Sequence, residues 1–149
     1  MQLIDLLKAL GVATAVLIST FAFAFPMVAF YAYVIEPGRP PEFYSQAAQW
    51  IAPWSSHVLG PLLFFGLNFR LARRRPERNA IAFALATVAL YVGIDAGSLR
   101  LFGLSVWSFF QTPVLISLAF KAAGAILGAW LGVRRPEASA SFPPVRATH

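Results

Sequence analysis

ALGVATAVLISTFAFAFPMVAFYAYVI, residues 9–35, is a run of 27 residues without a charged side chain. A helix rises 1.5 Å per residue, so about 20 apolar residues cover the ~30 Å hydrocarbon core of a bilayer. The run exceeds that length, and it also exceeds the about 7–15 apolar residues of a cleaved leader. Lys8 precedes it and Ala22-Phe23-Ala24 imitates a cleavage site, but the apolar stretch continues well beyond that point. The segment is therefore expected to be a retained transmembrane helix.

Working outward, Glu36-Pro37-Gly38-Arg39-Pro40-Pro41-Glu42 is a breaker. A second apolar block follows over residues 43–72 and ends in Arg70, Arg73, Arg74, Arg75 and Arg78. A third covers 79–99 with one charge, Asp95, and a fourth covers 101–133 with one charge, Lys121. The fourth closes on Arg134-Arg135-Pro136. The predicted fold is all-α: one four-helix transmembrane bundle over residues 1–135. Residues 136–149, rich in Pro, Ser and Ala without apolar periodicity, are expected to be a disordered cytoplasmic tail.

Composition agrees. The chain is 58% hydrophobic and 12% charged, against about 45–50% and about 25% in soluble domains. The absence of cysteine excludes disulfides, thiolate metal ligation and cysteine nucleophiles. The net charge of +6 comes mainly from arginines placed between apolar blocks, where Arg70, Arg73, Arg74, Arg75, Arg78, Arg134 and Arg135 are expected to set topology or to face anionic lipid, which argues against nucleic-acid binding. Counted by face, nine Lys and Arg flank one side of the four blocks and two, Arg39 and Arg100, the other. The positive-inside rule then places both termini and the 70–79 loop in the cytoplasm, as in a bacterial-type cytoplasmic membrane. Trp50, Trp54 and Trp107 fall near the opposite boundary, where indole rings anchor.

A sixty-residue shift places residues 22–77 on 82–137 with fourteen identities in 56 positions, including Tyr31 with Tyr91 and Pro53 with Pro113. Arg74-Arg75-Pro76-Glu77 also meets Arg134-Arg135-Pro136-Glu137. Shared aliphatic residues are common between apolar helices; the shared Tyr, Pro and Arg-Arg-Pro-Glu favour two tandem helical-hairpin repeats. Such hairpins are expected to be related by a pseudo-twofold axis along the membrane normal. Pro53 and Pro113 each precede their Arg-Arg-Pro-Glu run by 21 residues, so the second and fourth spans are expected to begin near them.

Gly124, Gly128 and Gly132 repeat every fourth residue and form one small-residue face for close helix packing. His57, Asp95 and Lys121 are titratable residues inside the blocks. At 1.5 Å per residue they lie roughly 20–25 Å from the nearest arginine cluster, at similar depths. Side chains lean toward their own helix N-terminus, which tilts Asp95 and Lys121 toward each other and predicts that they meet directly or through one water. Intramembrane ionisable groups mark a pathway or ligand site by default, and a structural pair is the alternative. The sixty-residue equivalents of all three are different residues, so any site is asymmetric.

No H-E-x-x-H, G-x-S-x-G or phosphate-cradling glycine loop is present. A single His within the spans cannot supply both axial ligands of a haem. No metal and no cofactor is expected. The leading functional expectation is a non-enzymatic helix-packing subunit or accessory component of a membrane assembly, its partners the lipid bilayer and either itself or other membrane subunits. Its rival is a small transporter or channel-like protein using His57, Asp95 and Lys121. A membrane enzyme without a recognisable motif is the third reading.

Overall fold

The computed structural model describes residues 3–76, 79–101, 103, 105, 107 and 110–134. The expected tail, Arg78 and Arg135 lie outside the described residues. The chain is all-helical: α1 (Leu3–Phe30) runs into a π-helical turn (Tyr31–Ile35), followed by α2 (Pro41–Arg74), α3 (Ala80–Leu101) and α4 (Thr112–Val133). The helix containing α1, together with α3 and α4, is long and apolar enough to cross a membrane. α2 is the longest single α-helix at 34 residues. It carries more polar side chains, among them Gln46, Gln49, Ser55, Ser56, His57 and Asn68.

Local chemistry explains the boundaries. Glu36 N–H closes the π turn on the Tyr31 carbonyl at 3.0 Å, and Gly38 takes φ +79°, which L side chains rarely adopt. Tyr44 then pins the turn: its hydroxyl accepts from Arg39 N–H at 2.9 Å and donates to the Glu36 carbonyl at 2.8 Å. Extended Pro40 precedes Pro41 at the head of α2, where a missing N–H does no harm. Asn79 caps α3, its Oδ1 accepting from Ala82 N–H at 3.0 Å. α4 begins beside Pro113, as its spacing predicts. α2 does not begin at Pro53: the helix starts twelve residues earlier, at Pro41, and continues through both Pro53 and Pro61.

The short links make α1 and α3 run one way and α2 and α4 the other. α1 packs on α2 and α3, α4 on α2 and α3, while α2 and α3 barely touch. The cyclic order is therefore α1–α2–α4–α3. This corrects the expected twofold axis. A twofold down the bundle exchanges diagonal corners, whereas α1 and α3 are neighbours, as are α2 and α4. Only a sideways displacement carries one hairpin onto the other. The matched tyrosines also differ in setting: Tyr91 is buried in the core, and Tyr31 is half-buried in the π turn.

The interior is built from small residues. Among the described residues nine of the fifteen buried hydrophobic ones are alanines, and Thr20, Ser55, Asn68, Thr87, Ser117 and Lys121 are buried beside them. Several of these polar groups bond a carbonyl of their own helix, such as Thr87 Oγ1 to Phe83 O at 2.8 Å and Asn68 Nδ2 to Phe64 O at 2.8 Å. Large apolar side chains, including Ile18, Phe25, Val58, Leu62, Leu85 and Phe120, point outward.

Candidate functional site

α2 and α4 make the closest seam in the molecule, and the glycines set its spacing. A Cβ on Gly124 would lie 2.5 Å from the Pro61 carbonyl oxygen, and one on Gly132 would lie 2.6 Å from that of Phe69. Gly128 faces the Phe65 carbonyl even more tightly. The constant offset of these pairs means the helices run parallel and in register. The whole glycine face is thus occupied by α2 of the same chain.

One turn before this face, Lys121 enters the seam and is 4% exposed. Its stem crosses α2 at Gly60, where a Cβ would stand 2.5 Å from Lys121 Cε. A Cβ there would oblige the flexible lysine stem to shift. The ammonium donates to Ser56 Oγ at 2.8 Å and to Tyr91 Oη at 3.0 Å. Tyr91 is held by an edge-to-face contact with Phe64, ring centroids 5.3 Å apart. Three helices therefore meet on one cation: α4 supplies it, and α2 and α3 supply its acceptors.

Asp95 lies one turn beyond Tyr91 on the same side of α3. It lines a cavity of about 100 Å³ with Thr20, Phe21 and Ala24 of α1, Ser56 of α2 and Tyr91. That volume matches about three water molecules in the liquid. Asp95 makes no direct ion pair with Lys121; among the described residues the ion pair present is Arg39 Nε to Glu36 Oε2 at 3.0 Å. The two charged side chains instead border a shared pair of hydroxyls, Ser56 and Tyr91, which face Lys121 on one side and the cavity on the other.

His57 stands apart from this group. Its Nε2 lies 3.1 Å from the Pro113 carbonyl on α4, and its Nδ1 contacts the Pro53 carbonyl one turn back on α2. Carbonyls only accept, so both contacts are hydrogen bonds at once only when the ring carries two N–H groups. His57 lines a separate groove with Trp50, Pro53, Trp54 and Pro113. Sequence depth brought His57 level with the other two residues, but the imidazole points around the helix to a neighbouring backbone. Ser117, one turn before Lys121, is buried with no hydrogen-bond partner for its Oγ, as is Asn68 Oδ1. The Pro113 carbonyl, the usual acceptor for Ser117 in a helix, faces His57.

Of the basic residues, Arg70, Arg73, Arg74, Arg75 and Arg134 are exposed at one end of the bundle. Arg73 lies over Phe69 at 5.6 Å and Arg134 over Trp130 at 3.4 Å. Two contributors were not singled out from sequence. Ser56 and Gly60 carry no signal apart from their neighbours. Asp5 is 6% exposed in the first turn of α1; its spacing to the buried Ala9 and Val12 marks it as inward-facing. No protein-family model, curated protein or solved structure matches the chain.

Proposed function

We propose that this chain is a four-span integral membrane protein with both ends cytoplasmic, in a bacterial-type cytoplasmic membrane. We further propose that it acts as a small transporter or channel-like protein through the site formed by Lys121, Tyr91, Ser56 and Asp95. Three helices of spanning length and apolarity support the membrane reading. So does an interior of alanine, glycine and polar residues under an exterior of large apolar ones, the arrangement lipid favours. α2 spans with the others, because α1 and α3 begin at the same end and α2 must return the chain between them. The exposed arginines then lie at the cytoplasmic surface. The sixty-residue correspondence fits two hairpins laid side by side.

A single observation carries the transport reading: Asp95 borders a small cavity, and the Ser56 and Tyr91 hydroxyls that line it with Asp95 are the acceptors of Lys121, so the two charges do not neutralise each other directly. A pair serving stability alone gains most from direct contact, since an ion in the span costs about 2.5–3.5 kcal/mol even on the lenient scale. Hydroxyls and water between carboxylate and ammonium suit a proton or a small hydrated solute. The packing-subunit reading rests on the glycine face and on the small soluble fraction of the chain, and of these the glycine face packs on α2 of the same chain.

The test is proton flux into proteoliposomes driven by an imposed potassium diffusion potential and read by an internal pH dye. Wild-type protein should conduct above empty vesicles, Asp95→Asn should fall to background, and Ser117→Ala should retain the wild-type rate. Equal flux in wild type, Asp95→Asn and empty vesicles would return the cluster to a structural role in an accessory membrane subunit.

A further inference from the structure

The arginine end of the bundle carries a second built feature. Between the start of α3 and the end of α4 lies a groove of about 390 Å³, lined by Asn79, Ile81, Ala129, Trp130, Val133 and Arg134. Its floor is apolar, with the small buried Ala80 and Ala129 leaving the space that Ile81, Trp130 and Val133 wall in. Its mouth is cationic. The Arg134 guanidinium stacks on the Trp130 indole at 3.4 Å, which fixes the plane of the fork while leaving its N–H edge to donate. Among the described residues no carboxylate pairs with Arg134. Arg70, Arg73, Arg74 and Arg75 are exposed at the same end and add to the local positive potential.

From this geometry we infer that the α3–α4 groove binds one anionic phospholipid, with an acyl chain along Ile81, Ala129 and Val133 and the headgroup phosphate on Arg134 and Asn79. The inference rests on the membrane reading above. A lipid is the occupant that matches both parts: the apolar floor takes a chain, and a planar guanidinium recognises phosphate through paired N–H donors. The indole between them sits where tryptophan rings favour the boundary between chain and headgroup. A soluble phosphate compound would leave the floor unfilled.

The experiment uses Trp130 as its own reporter. A variant with Trp50→Phe, Trp54→Phe and Trp107→Phe is reconstituted into phosphatidylcholine containing dibrominated phosphatidylglycerol or, separately, dibrominated phosphatidylcholine. Quenching by the anionic lipid should exceed its bulk mole fraction, with a selectivity of about five-fold for one arginine at the surface. Arg134→Gln should lower that selectivity toward one, and Arg100→Gln at the opposite end should not change it. Quenching that follows bulk composition for both lipids, or that survives Arg134→Gln, overturns the site. Relief of quenching by excess inorganic phosphate also overturns it, by assigning the groove to a soluble anion. If neither brominated lipid quenches Trp130, the membrane reading itself fails rather than the selectivity. Should the triple variant not fold, native mass spectrometry of the wild-type chain and Arg134→Gln decides the same point: only the wild type should retain phosphatidylglycerol over phosphatidylcholine.

Discussion

Gly124→Ala and Gly128→Ala should destabilise the bundle, whereas Gly66→Ala and Gly93→Ala should not. The magnitude follows from the seam. A methyl on Gly124 would stand 2.5 Å from the Pro61 carbonyl oxygen, while ordinary contact begins at 3.4 Å, a shortfall of about 0.9 Å. The oxygen belongs to helix backbone, so the strain can be relieved only by moving α2 and α4 apart. A radial gap of roughly 0.5–1 Å already forfeits a quarter to a half of each dispersion contact along the seam. Overpacking of this kind typically costs about 1–3 kcal/mol, and backbone on both sides places these glycines toward the upper value. Alanine recovers about 0.5–1 kcal/mol of helix entropy, leaving a net loss of about 2 kcal/mol. At Gly66 and Gly93 nothing lies within 4 Å of the added methyl, so only the entropic gain of about 0.5–1 kcal/mol remains. The assay is thermal unfolding in a fixed detergent followed by circular dichroism. Opposite signs for the two pairs are the expected result. A Gly128→Ala variant as stable as Gly93→Ala would refute the account of the α2–α4 seam.

Two further outcomes follow from the same structure. In intact cells an impermeant thiol reagent should label Glu42→Cys but not Arg75→Cys, both sites being exposed and at opposite ends of α2; equal labelling would remove the proposed topology. Tyr44→Phe deletes the acceptor for Arg39 N–H and the donor to the Glu36 carbonyl. At about 0.5–1.5 kcal/mol per hydrogen bond, amide exchange at Arg39 should accelerate about ten-fold with the helices unaffected; an unchanged rate would mean that Gly38 alone holds the turn.

Much of the architecture was legible because charge-free runs and breakers are local properties. Residues 9–35 announced a long helix, and the structure extends it from Leu3 through the π turn to Ile35. Pro113 marked the head of α4. Pro53 misled, because a proline ring that can begin a helix can also sit within one when neighbouring helices support it, and Pro40-Pro41 was the true start of α2. The inward facing of Lys121 is readable from its place three residues before Gly124, on the side of α4 that carries the glycines. Its acceptors are not, since nothing in sequence distinguishes Ser56 from Ser55, and the two hydroxyls point around the helix in different directions. His57 found backbone carbonyls as partners, groups that every residue has and no sequence pattern reveals. The cyclic order of the helices was also hidden, because periodicity defines a face without saying which neighbour covers it.

The passage that Gly60 leaves for Lys121 has a consequence for how the chain is made. Lys121 belongs to α4, while the hydroxyls of Ser56 and Tyr91 belong to the two helices before it in the chain. On the proposed membrane reading, helices that insert in chain order bring the lysine to a bundle in which both of its acceptors are already present. The charged helix therefore enters against a partly assembled bundle rather than against bare lipid. A side chain at Gly60 would oblige the flexible lysine stem to take another path to Ser56 and Tyr91, so its cost falls on that approach rather than on the backbone of either helix.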